Sequence, residues 1–213
     1  MTLTDAAYAH LRRDILSGDL PPGSPLRLDA LRARYGMGFS PLREALNRLA
    51  AERLTVAAAQ RGFTVAPLSL AAMWDAIETR ILIEGQALRL SMARGGDGWE
   101  TGIVAARHAL ALAAARGPGP ALEDRHRDFH RALIAGCASP WLTDIAGQLY
   151  AQTERYRAPV LAQGATAGRD LAAEHGALAE AALARAPDAP DLLADHYRAT
   201  GRALQTAYAT AAA

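Results

Sequence analysis

The spacing of apolar residues predicts helices along most of the chain. Near the N-terminus, Tyr8, Leu11 and Ile15 recur at helical spacing, and this pattern stops at Gly18. A second short helix is expected before the glycine turn at Gly36. One face of a third helix is marked by Leu42, Ala45, Leu46 and Leu49. The pattern therefore predicts two helices joined by a tight turn, with a further helix ahead of them.

The start of the third helix carries its own signals. Ser40 is expected to be the N-cap, and Pro41 suits the first helical position because its missing N–H needs no partner there. Arg43, Asn47 and Arg48 lie off the apolar face and are expected to be available to a partner. A capped helix with this basic outer face is typical of a DNA-reading helix-turn-helix. An ordinary helical hairpin with a solvated charged face shares the pattern.

Two short strands are predicted directly after the third helix, at residues 54–56 and 61–65. A strand pair in this position extends the motif to a winged helix-turn-helix. Strand signals end near Pro67, which predicts a domain boundary. We expect a winged helix-turn-helix DNA-binding domain at residues 1–67 and an all-helical domain at residues 68–213.

The second domain shows helical periodicity throughout. Glycine- and proline-rich breaks separate six predicted helices, at residues 69–94, 100–116, 121–135, 140–157, 167–184 and 189–210. Helices of this length with short connections favour an antiparallel bundle. The predicted fold class is therefore mainly α, with a winged helix-turn-helix followed by an all-α bundle.

Charge, cysteine content and hydropathy narrow the class of protein. The net charge is +1, but residues 1–67 hold nine arginines against six acidic residues, while the remainder is slightly acidic. Basic charge is thus modestly concentrated where DNA would lie. The single Cys137 excludes an internal disulfide and suits a reducing compartment. No apolar run approaches the roughly 20 residues that a membrane span needs, and no signal peptide is evident, so we expect a cytoplasmic protein with no membrane partner.

Four histidines occupy the apolar faces of the later helices. His126 and His130 are four residues apart on one predicted helix, and His175 and His196 lie on apolar stripes of two others. A single inward histidine is usually a hydrogen-bonded core residue. Burying four imidazoles without a common partner would be costly, and a shared metal ion removes that cost. Imidazole suits Zn, Ni, Cu or Fe, and we favour a divalent ion, zinc or nickel.

Arg80 and Glu84 lie one turn apart near the inward face of the first bundle helix. Inward charges usually pair with each other or serve a binding site. The sequence leaves both alternatives open. His10 and His108 have no comparable neighbours in the pattern and are expected at the surface.

The N-terminal third resembles a known family. Residues 15–18 (Ile-Leu-Ser-Gly), 20–23 (Leu-Pro-Pro-Gly), 41–46 (Pro-Leu-Arg-Glu-Ala-Leu) and Arg61-Gly62 are similar, in that order, to motifs of the GntR winged-helix regulators. The resemblance implies that Arg43 lies at the DNA, that Ser40 donates to a phosphate and that Gly62 lets the wing backbone approach the minor groove. Asn47 on the outer helix face and Arg61 in the wing are further candidate DNA-binding residues. The sequence departs from these motifs at one point, just before the third helix.

Gly38-Phe39 stands where the family has Ser-Arg, so the usual base-reading arginine is absent. A guanidinium bound to guanine through two hydrogen bonds contributes roughly 1–3 kcal/mol of discrimination, and Phe39 cannot make this contact. Phe39 would pack on a thymine methyl or against its own domain. We therefore expect a changed operator or weaker base reading.

The helical domain resembles the FCD ligand-sensing domain of the FadR-type branch of that family. The similarity lies in residues 129–133 (Phe-His-Arg-Ala-Leu), 174–178 around Glu174-His175, and 194–196 (Ala-Asp-His). In metal-binding members an Asp and three His are the ligands. The resemblance matches the three histidine ligands to His130, His175 and His196. It also implies that Arg80 contacts the carboxylate of an effector, with Glu84 beside it.

The family's Asp position is His126 in this chain. The site is then either an all-imidazole site or a three-ligand site with His126 as a spectator. Asp124 and Asp128 lie off the stripe. Neutral imidazole in place of a carboxylate would leave a divalent ion with its full charge, which favours softer metals than Mn, or stronger binding of an anion.

These patterns favour a DNA-binding transcriptional regulator rather than an enzyme, and we expect no catalytic residues. The regulator is expected to be a repressor. It would bind a pseudo-palindromic operator in double-stranded DNA as a homodimer, and sense a small carboxylate through its metal ion. Two alternatives stay open: a regulator whose helical domain is metal-free and purely structural, and a metalloenzyme with a histidine site.

Overall fold

The computed structural model describes residues 2–58, 62–162 and 168–211, which form two compact units. The first unit comprises Met1–Ser69 together with Glu154–Pro159, and the second comprises Leu70–Thr153 and Val160–Ala213. Helices account for 78% of the structure, and the strands are confined to one small sheet. The predicted mainly α fold class is confirmed.

The described N-terminal segment of the first unit contains three helices, α1 (Leu3–Ser17), α2 (Leu28–Tyr35) and α3 (Phe39–Ala51). A capping box starts α1, because the Thr2 side chain accepts from the Asp5 amide while the Asp5 carboxylate accepts from the Thr2 amide. Gly36 ends α2 at φ 66°. Only glycine adopts this left-handed conformation without steric cost, so it allows the sharp turn into α3.

Helix α3 begins earlier than the sequence predicts. Its N-cap is Gly38, whose carbonyl accepts the amide of Leu42, and no side chain caps the helix. The prediction that Ser40 is the N-cap is wrong, because Phe39 and Ser40 already have helical conformation. Pro41 still lies in the first turn, where the intrahelical bond that its ring would remove is not required.

The strands of the first unit are β1 (Pro25–Leu26), β2 (Thr55–Ala58) and β3 (Gly62–Val65). They form an antiparallel sheet in the order β1-β3-β2, with Val56 paired to Thr64. This sheet is the wing behind α3. The two-residue strand β1 is too short to show a period in the sequence, which is why sequence reasoning missed it.

The second unit is built from six α-helices in its described part, with a 3₁₀ turn at Ala135–Cys137. They are α4 (Leu70–Arg94), α5 (Asp97–Ala115), α6 (Pro120–Ile134), α7 (Pro140–Ala162), α8 (Leu171–Leu183) and α9 (Ala189–Ala211). Helix α7 continues through Pro159 beyond its predicted end. Helix α8 is capped by Asp170, which accepts from the Ala173 amide at 2.9 Å, and so starts later than predicted.

Part of α7 belongs to the first unit. Arg155 donates to the Ala66 carbonyl, and the Tyr156 hydroxyl donates to the Ser69 carbonyl at 3.0 Å and accepts from the Ser69 amide at 3.1 Å. Sequence reasoning assigned nothing from this late segment to the N-terminal unit. Hydrogen bonds between residues 87 positions apart leave no trace in local periodicity.

The core of the second unit follows the predicted apolar faces. The largest fully buried side chains there are Met73, Leu88, Ile103, Phe129, Leu133, Leu178 and Leu193. None of the helices in the described part of the chain combines the length and apolarity that crossing a bilayer requires.

Candidate metal centre and nucleic-acid interface

Four imidazoles from three helices converge inside the second unit. His126 and His130 come from α6, His175 from α8 and His196 from α9. One ring nitrogen of each lies within 4.8 Å of one nitrogen of every other. His130, His175 and His196 are buried, and His126 is half-buried. Packing of the predicted inward faces thus brings together all four histidines.

The orientation of His130 is fixed by a chain of hydrogen bonds that leads away from the cluster. Its Nδ1 lies 3.0 Å from the Tyr197 hydroxyl, and that hydroxyl donates to the Glu84 carboxylate. Burial keeps the pKa of Tyr197 well above its usual value, so the hydroxyl is neutral and has one proton to donate. Since Glu84 receives that proton, His130 donates its own Nδ1–H. Its Nε2 therefore presents a lone pair to the other rings.

His196 is held by a carboxylate in the same way. Its Nδ1 lies 2.8 Å from Glu174 Oε2, and Arg169 donates to Glu174 Oε1 at 2.9 Å. The hydrogen bond from His196 outweighs burial and, together with Arg169, lowers the pKa of Glu174 to about 2. Burial lowers the pKa of His196. An ionised carboxylate only accepts hydrogen bonds, so Nδ1 carries the ring's proton. The unprotonated Nε2 then has the lone pair that can bind a metal ion.

His126 completes the pattern. Its Nδ1 lies 2.9 Å from the Tyr150 hydroxyl, and its Nε2 lies 3.2 Å from His130 Nε2. Zn–N bonds of about 2.0–2.1 Å in a tetrahedral site place neighbouring nitrogens about 3.3 Å apart. The pair on α6 already has this spacing, and the longest separation in the cluster, 4.8 Å, requires the rings to move inward.

The donor set fits a divalent transition metal. Four neutral imidazole nitrogens are ligands for zinc, nickel or copper, whereas Mn and Mg favour oxygen. Outer hydrogen bonds to carboxylates and hydroxyls are the usual means by which metal-binding histidines are oriented. His126, His130, His175 and His196 are the residues that would hold the ion.

Arg80 and Glu84 form a buried ion pair beside this cluster. Arg80 Nε donates to Glu84 Oε1 at 2.6 Å, and its Nη1 donates to Thr153 Oγ1 at 2.8 Å. Its guanidinium also stacks over the rings of Tyr197 and Tyr150, at 4.1 and 5.0 Å from the ring centroids. The sequence left open whether Arg80 and Glu84 pair with each other or serve a binding site. This geometry favours the interior pair, because each nitrogen of the Arg80 guanidinium already has a hydrogen-bond partner.

The other histidines and the acidic neighbours lie apart from the cluster. His108 is exposed on α5, and His10 stacks on Tyr35 in the first unit. Asp124 and Asp128, which the sequence places off the apolar stripe, pair with arginines of the same helix.

In the first unit, α3 presents one exposed polar stripe. Leu42, Ala45, Leu46 and Leu49 are buried, while Phe39, Ser40, Arg43 and Asn47 are exposed along the outer side. Arg48 is exposed off the buried face as predicted, but it already has partners within its own unit. Arg48 lies on the flank of α3 near α1, where it binds Asp5 at 3.1 Å and covers the ring of Tyr8.

The wing begins at Gly62, whose φ of 79° is in the left-handed region. A glycine suits this first residue of β3 because of its backbone conformation, since nothing lies within 4 Å of where a Cβ would be. Arg61, which the sequence assigns to the same tip, lies outside the described residues.

Family comparison agrees with both units. Residues 3–65 match the model of the bacterial regulatory proteins of the gntR family, and residues 75–199 match the FCD domain. The FCD match covers more than half of the chain. The chain belongs to the GntR family, in its FadR-type branch.

Two curated relatives carry regulator names. The chain is 39% identical over 190 residues to the uncharacterized HTH-type transcriptional regulator BphR of Paraburkholderia xenovorans (strain LB400), covering 86% of this chain and 77% of that relative. It is 34% identical over 162 residues to the HTH-type transcriptional repressor GlaR of Escherichia coli (strain K12), covering 74% of each. This GntR protein is a DNA-binding transcriptional regulator, and its relatives are regulators rather than enzymes.

Solved structures show the same fold. E. coli McbR/YncC superposes with a TM-score of 0.84 at 21% identity, covering 98% of this chain and 99% of that one. A GntR regulator from Rhodococcus sp. RHA1 superposes with a TM-score of 0.79 at 18% identity, covering 96% and 98%. At such identities the agreement concerns the arrangement of helices and strands.

Sequence reasoning missed the partners that orient the histidines in this regulator. Tyr197 directly follows His196, and Glu174 directly precedes His175, yet neither was assigned a role. Adjacent residues on a helix point about 100° apart, so the local pattern does not predict that Tyr197 serves His130 and Glu174 serves His196. Only the packing of α6, α8 and α9 decides which ring each one meets.

Proposed function

We propose that this GntR regulator is metal-dependent, with His126, His130, His175 and His196 holding one divalent transition ion in each chain. The observation that carries the proposal is the convergence of four ring nitrogens within 4.8 Å. The outer partners of His126, His130 and His196 all lie at Nδ1, which leaves Nε2 on the inner side. Zinc or nickel fits this neutral nitrogen set best.

The first experiment measures metal content and affinity. Full-length protein purified without a histidine tag is analysed for metals, and the chelator-treated protein is then titrated with Zn²⁺ and Ni²⁺ separately. We expect one ion per chain and loss of binding in His130→Ala and His175→Ala. The exposed His108→Ala is the matched control. A content far below one ion per chain, with no uptake on titration, contradicts the proposal and favours a purely structural helical domain.

We further propose that the regulator binds a pseudo-palindromic operator as a homodimer. Recognition helices of such dimers enter successive major grooves about 34–36 Å apart. Support comes from the exposed stripe of α3, which carries Ser40, Arg43 and Asn47, polar side chains of the kinds that contact phosphates and bases. Gly62, at the start of β3, would let the wing reach the minor groove, with Arg61 beside it.

DNA binding is tested by selection from a random duplex library, followed by gel-shift titration at several salt concentrations. We expect enriched half-sites, a 2:1 ratio of chains to duplex, and a steep decrease of affinity with salt. Arg43→Ala should weaken binding, while Arg53→Ala, in the turn after α3, should have little effect. A wild-type chain that selects no sequence would contradict this assignment.

The metal would regulate only if it binds the DNA-competent and DNA-incompetent states unequally. The same gel shifts are therefore repeated with chelator and with excess Zn²⁺. Since a relative is named as a repressor, we propose repression, with the ion or its further ligand changing operator affinity. Equal operator affinity with and without metal would show that the ion has only a structural role.

A small organic acid remains our proposed effector, bound to the ion itself. Four neutral imidazoles leave a divalent ion with its full charge, which favours an added carboxylate where the metal accepts a fifth ligand. An acid entering at Arg80 would instead have to displace Glu84 from a buried pair. A thermal-shift screen of small carboxylic acids tests this, because a stabilising acid should lose its effect when chelator is added.

A further inference from the structure

The turn between α2 and α3 brings an arginine onto the ring of Phe39. The Arg32 guanidinium carbon lies 5.2 Å from the Phe39 ring centroid, within the range of a cation–π contact. Arg32 belongs to the last turn of α2, and Phe39 is the first residue of α3. Both side chains are exposed. The short turn at residues 36–38 thus makes one surface from the two helix ends.

The guanidinium of Arg32 has no acidic partner in the part of its unit that the structure describes. Arg12, Arg13, Arg34 and Arg48 each pair with an acidic side chain, whereas Arg32 forms no ion pair in the part of the chain that the structure describes. Arg34 lies two positions further along α2, about 200° around the helix, and is turned inward to Asp14 at 2.7 Å. Arg32 is therefore directed to the outer surface.

This position is the one from which a recognition helix reads bases. In a helix-turn-helix, N-terminal residues of the second helix contact base edges in the major groove. Phe39 is that first residue, but a phenyl ring has no donor for a base. A guanidinium that lies over an aromatic ring keeps N–H groups available to other acceptors, and an arginine positioned by such a contact loses less freedom when it binds both acceptors of a guanine. Arg43 lies one turn further along the same stripe of α3.

We propose that Arg32, positioned by the ring of Phe39, is a guanine-reading residue of this regulator. The arginine comes from the end of α2 and occupies the space beside the first turn of α3. Phe39 acts through Arg32 as a positioning residue. This inference concerns the specificity of DNA recognition and does not depend on the metal site.

The test uses full-length protein and two duplexes, one selected by the wild type from a random library and one of scrambled sequence with equal length and composition. Arg32→Lys keeps the charge but loses the planar pair of donors and the stack. We expect it to bind the selected duplex about 5- to 150-fold more weakly and the scrambled duplex with unchanged affinity and salt dependence. When duplexes are selected from the random library with the Arg32→Lys variant, a guanine preference should be lost in each half-site.

Arg53→Lys is the matched control. Arg53 is exposed, forms no ion pair in the described part of the chain, and follows the C-terminal end of α3, which lies about 18 Å along the helix axis from Phe39. It should select the same sequence as the wild type. Circular dichroism and the unfolding temperature establish that each variant is folded, and both changes are conservative replacements at exposed positions.

A double-mutant cycle tests the role of Phe39. Phe39→Leu keeps an apolar side chain but removes the aromatic ring, and we expect it to weaken binding to the selected duplex in the wild-type background. In the Arg32→Ala background the same change should have no further effect, because the residue that it positions is absent. A cost that persists in that background shows that Phe39 contacts DNA directly and overturns its positioning role.

Two other results would overturn the assignment of Arg32. If Arg32→Lys binds both duplexes like the wild type, or if Arg32→Ala weakens both equally with a lower salt slope, Arg32 contacts phosphate at most. A wild-type protein that enriches no guanine in its half-sites would also overturn the proposal.

Discussion

The Tyr197 hydroxyl lies 3.0 Å from Nδ1 of His130 and donates its proton to Glu84. This single contact connects the histidine cluster to the buried Arg80–Glu84 pair. Glu84 fixes the direction of the tyrosine proton, and the tyrosine oxygen then accepts from His130. The charged pair therefore decides which nitrogen of His130 faces the other rings.

Removing that hydroxyl should weaken metal binding. In Tyr197→Phe, His130 loses the partner that fixes its ring and tautomer, and changes of this kind typically reduce metal affinity about 10- to 100-fold. Competition with a chromophoric chelator measures the affinity for Zn²⁺. Tyr8→Phe, which removes a hydroxyl hydrogen bond to Glu52 in the first unit, is the control. Equal affinities for Tyr197→Phe and the wild type would contradict the role of Tyr197.

Glu174 should matter through His196. Glu174→Ala removes the carboxylate that accepts from Nδ1 at 2.8 Å, and we expect a loss of metal affinity of about 10- to 100-fold. Glu174→Gln retains an oxygen acceptor and should lose less. The same competition assay checks both, with Glu180→Ala, an exposed glutamate on the same helix, as control. If the alanine and glutamine variants are equally impaired, the acceptor oxygen is not what matters.

His126 separates a four-ligand site from a three-ligand site. His126→Ala should lower Zn²⁺ affinity because it removes one of four nitrogens, and His126→Asp should shift preference toward Mn²⁺ because it supplies an oxygen ligand. Parallel titrations with the two metals measure the ratio of affinities. Unchanged Zn²⁺ affinity in His126→Ala would show that His126 is a spectator.

The Arg80–Glu84 pair should be sensitive to removal of one partner. Arg80→Met leaves a carboxylate buried without its cation, and such changes cost about 3–5 kcal/mol of stability. Replacing Glu84 by Leu in the same chain should recover part of this loss. Denaturant unfolding gives both values. Arg198→Met, which breaks an exposed pair with Glu78, should cost about 1 kcal/mol or less. A loss no larger than that control would argue against a buried pair.

Asp14 gives the first unit a pH-dependent stability. Burial raises its pKa, but hydrogen bonds from Tyr35 and Arg13 and the charges of Arg13 and Arg34 outweigh burial and hold the pKa below its usual 3.8. The stabilisation is then present above about pH 3.8 and is lost as the pH falls through the lower pKa of the folded state.

We therefore expect Asp14→Asn to unfold at lower urea concentration than the wild type at pH 7. The difference should shrink as the pH falls below 3.8 and through the lower pKa of the folded state, where the wild-type carboxyl also becomes neutral. Circular dichroism at a series of pH values gives both midpoints. Asp19→Asn, at an exposed position after α1, is the control. A difference that stays constant down to the lowest pH would contradict the account.

Periodicity predicted much of the candidate site, and its limits are visible at particular residues. It placed His130, His175 and His196 on buried faces, and it placed Arg80 and Glu84 inward. It did not predict that Arg48 binds Asp5, because that pair joins two helices 43 positions apart. It also placed the N-cap of α3 at Ser40 rather than Gly38, because side-chain caps are recognisable in a sequence and a glycine cap is less so.

The sequence by itself determined the helices, the faces they bury and the family to which the chain belongs, because spacing along a helix assigns each residue to a side. Only the tertiary structure decided which groups meet across those sides. It pairs Nδ1 of His126, His130 and His196 with Tyr150, Tyr197 and Glu174, and it brings the Arg80 guanidinium to Thr153 of α7 and over the ring of Tyr197. The physical reason is that a hydrogen bond depends on ring rotation and on a partner from another helix, and both are set by packing.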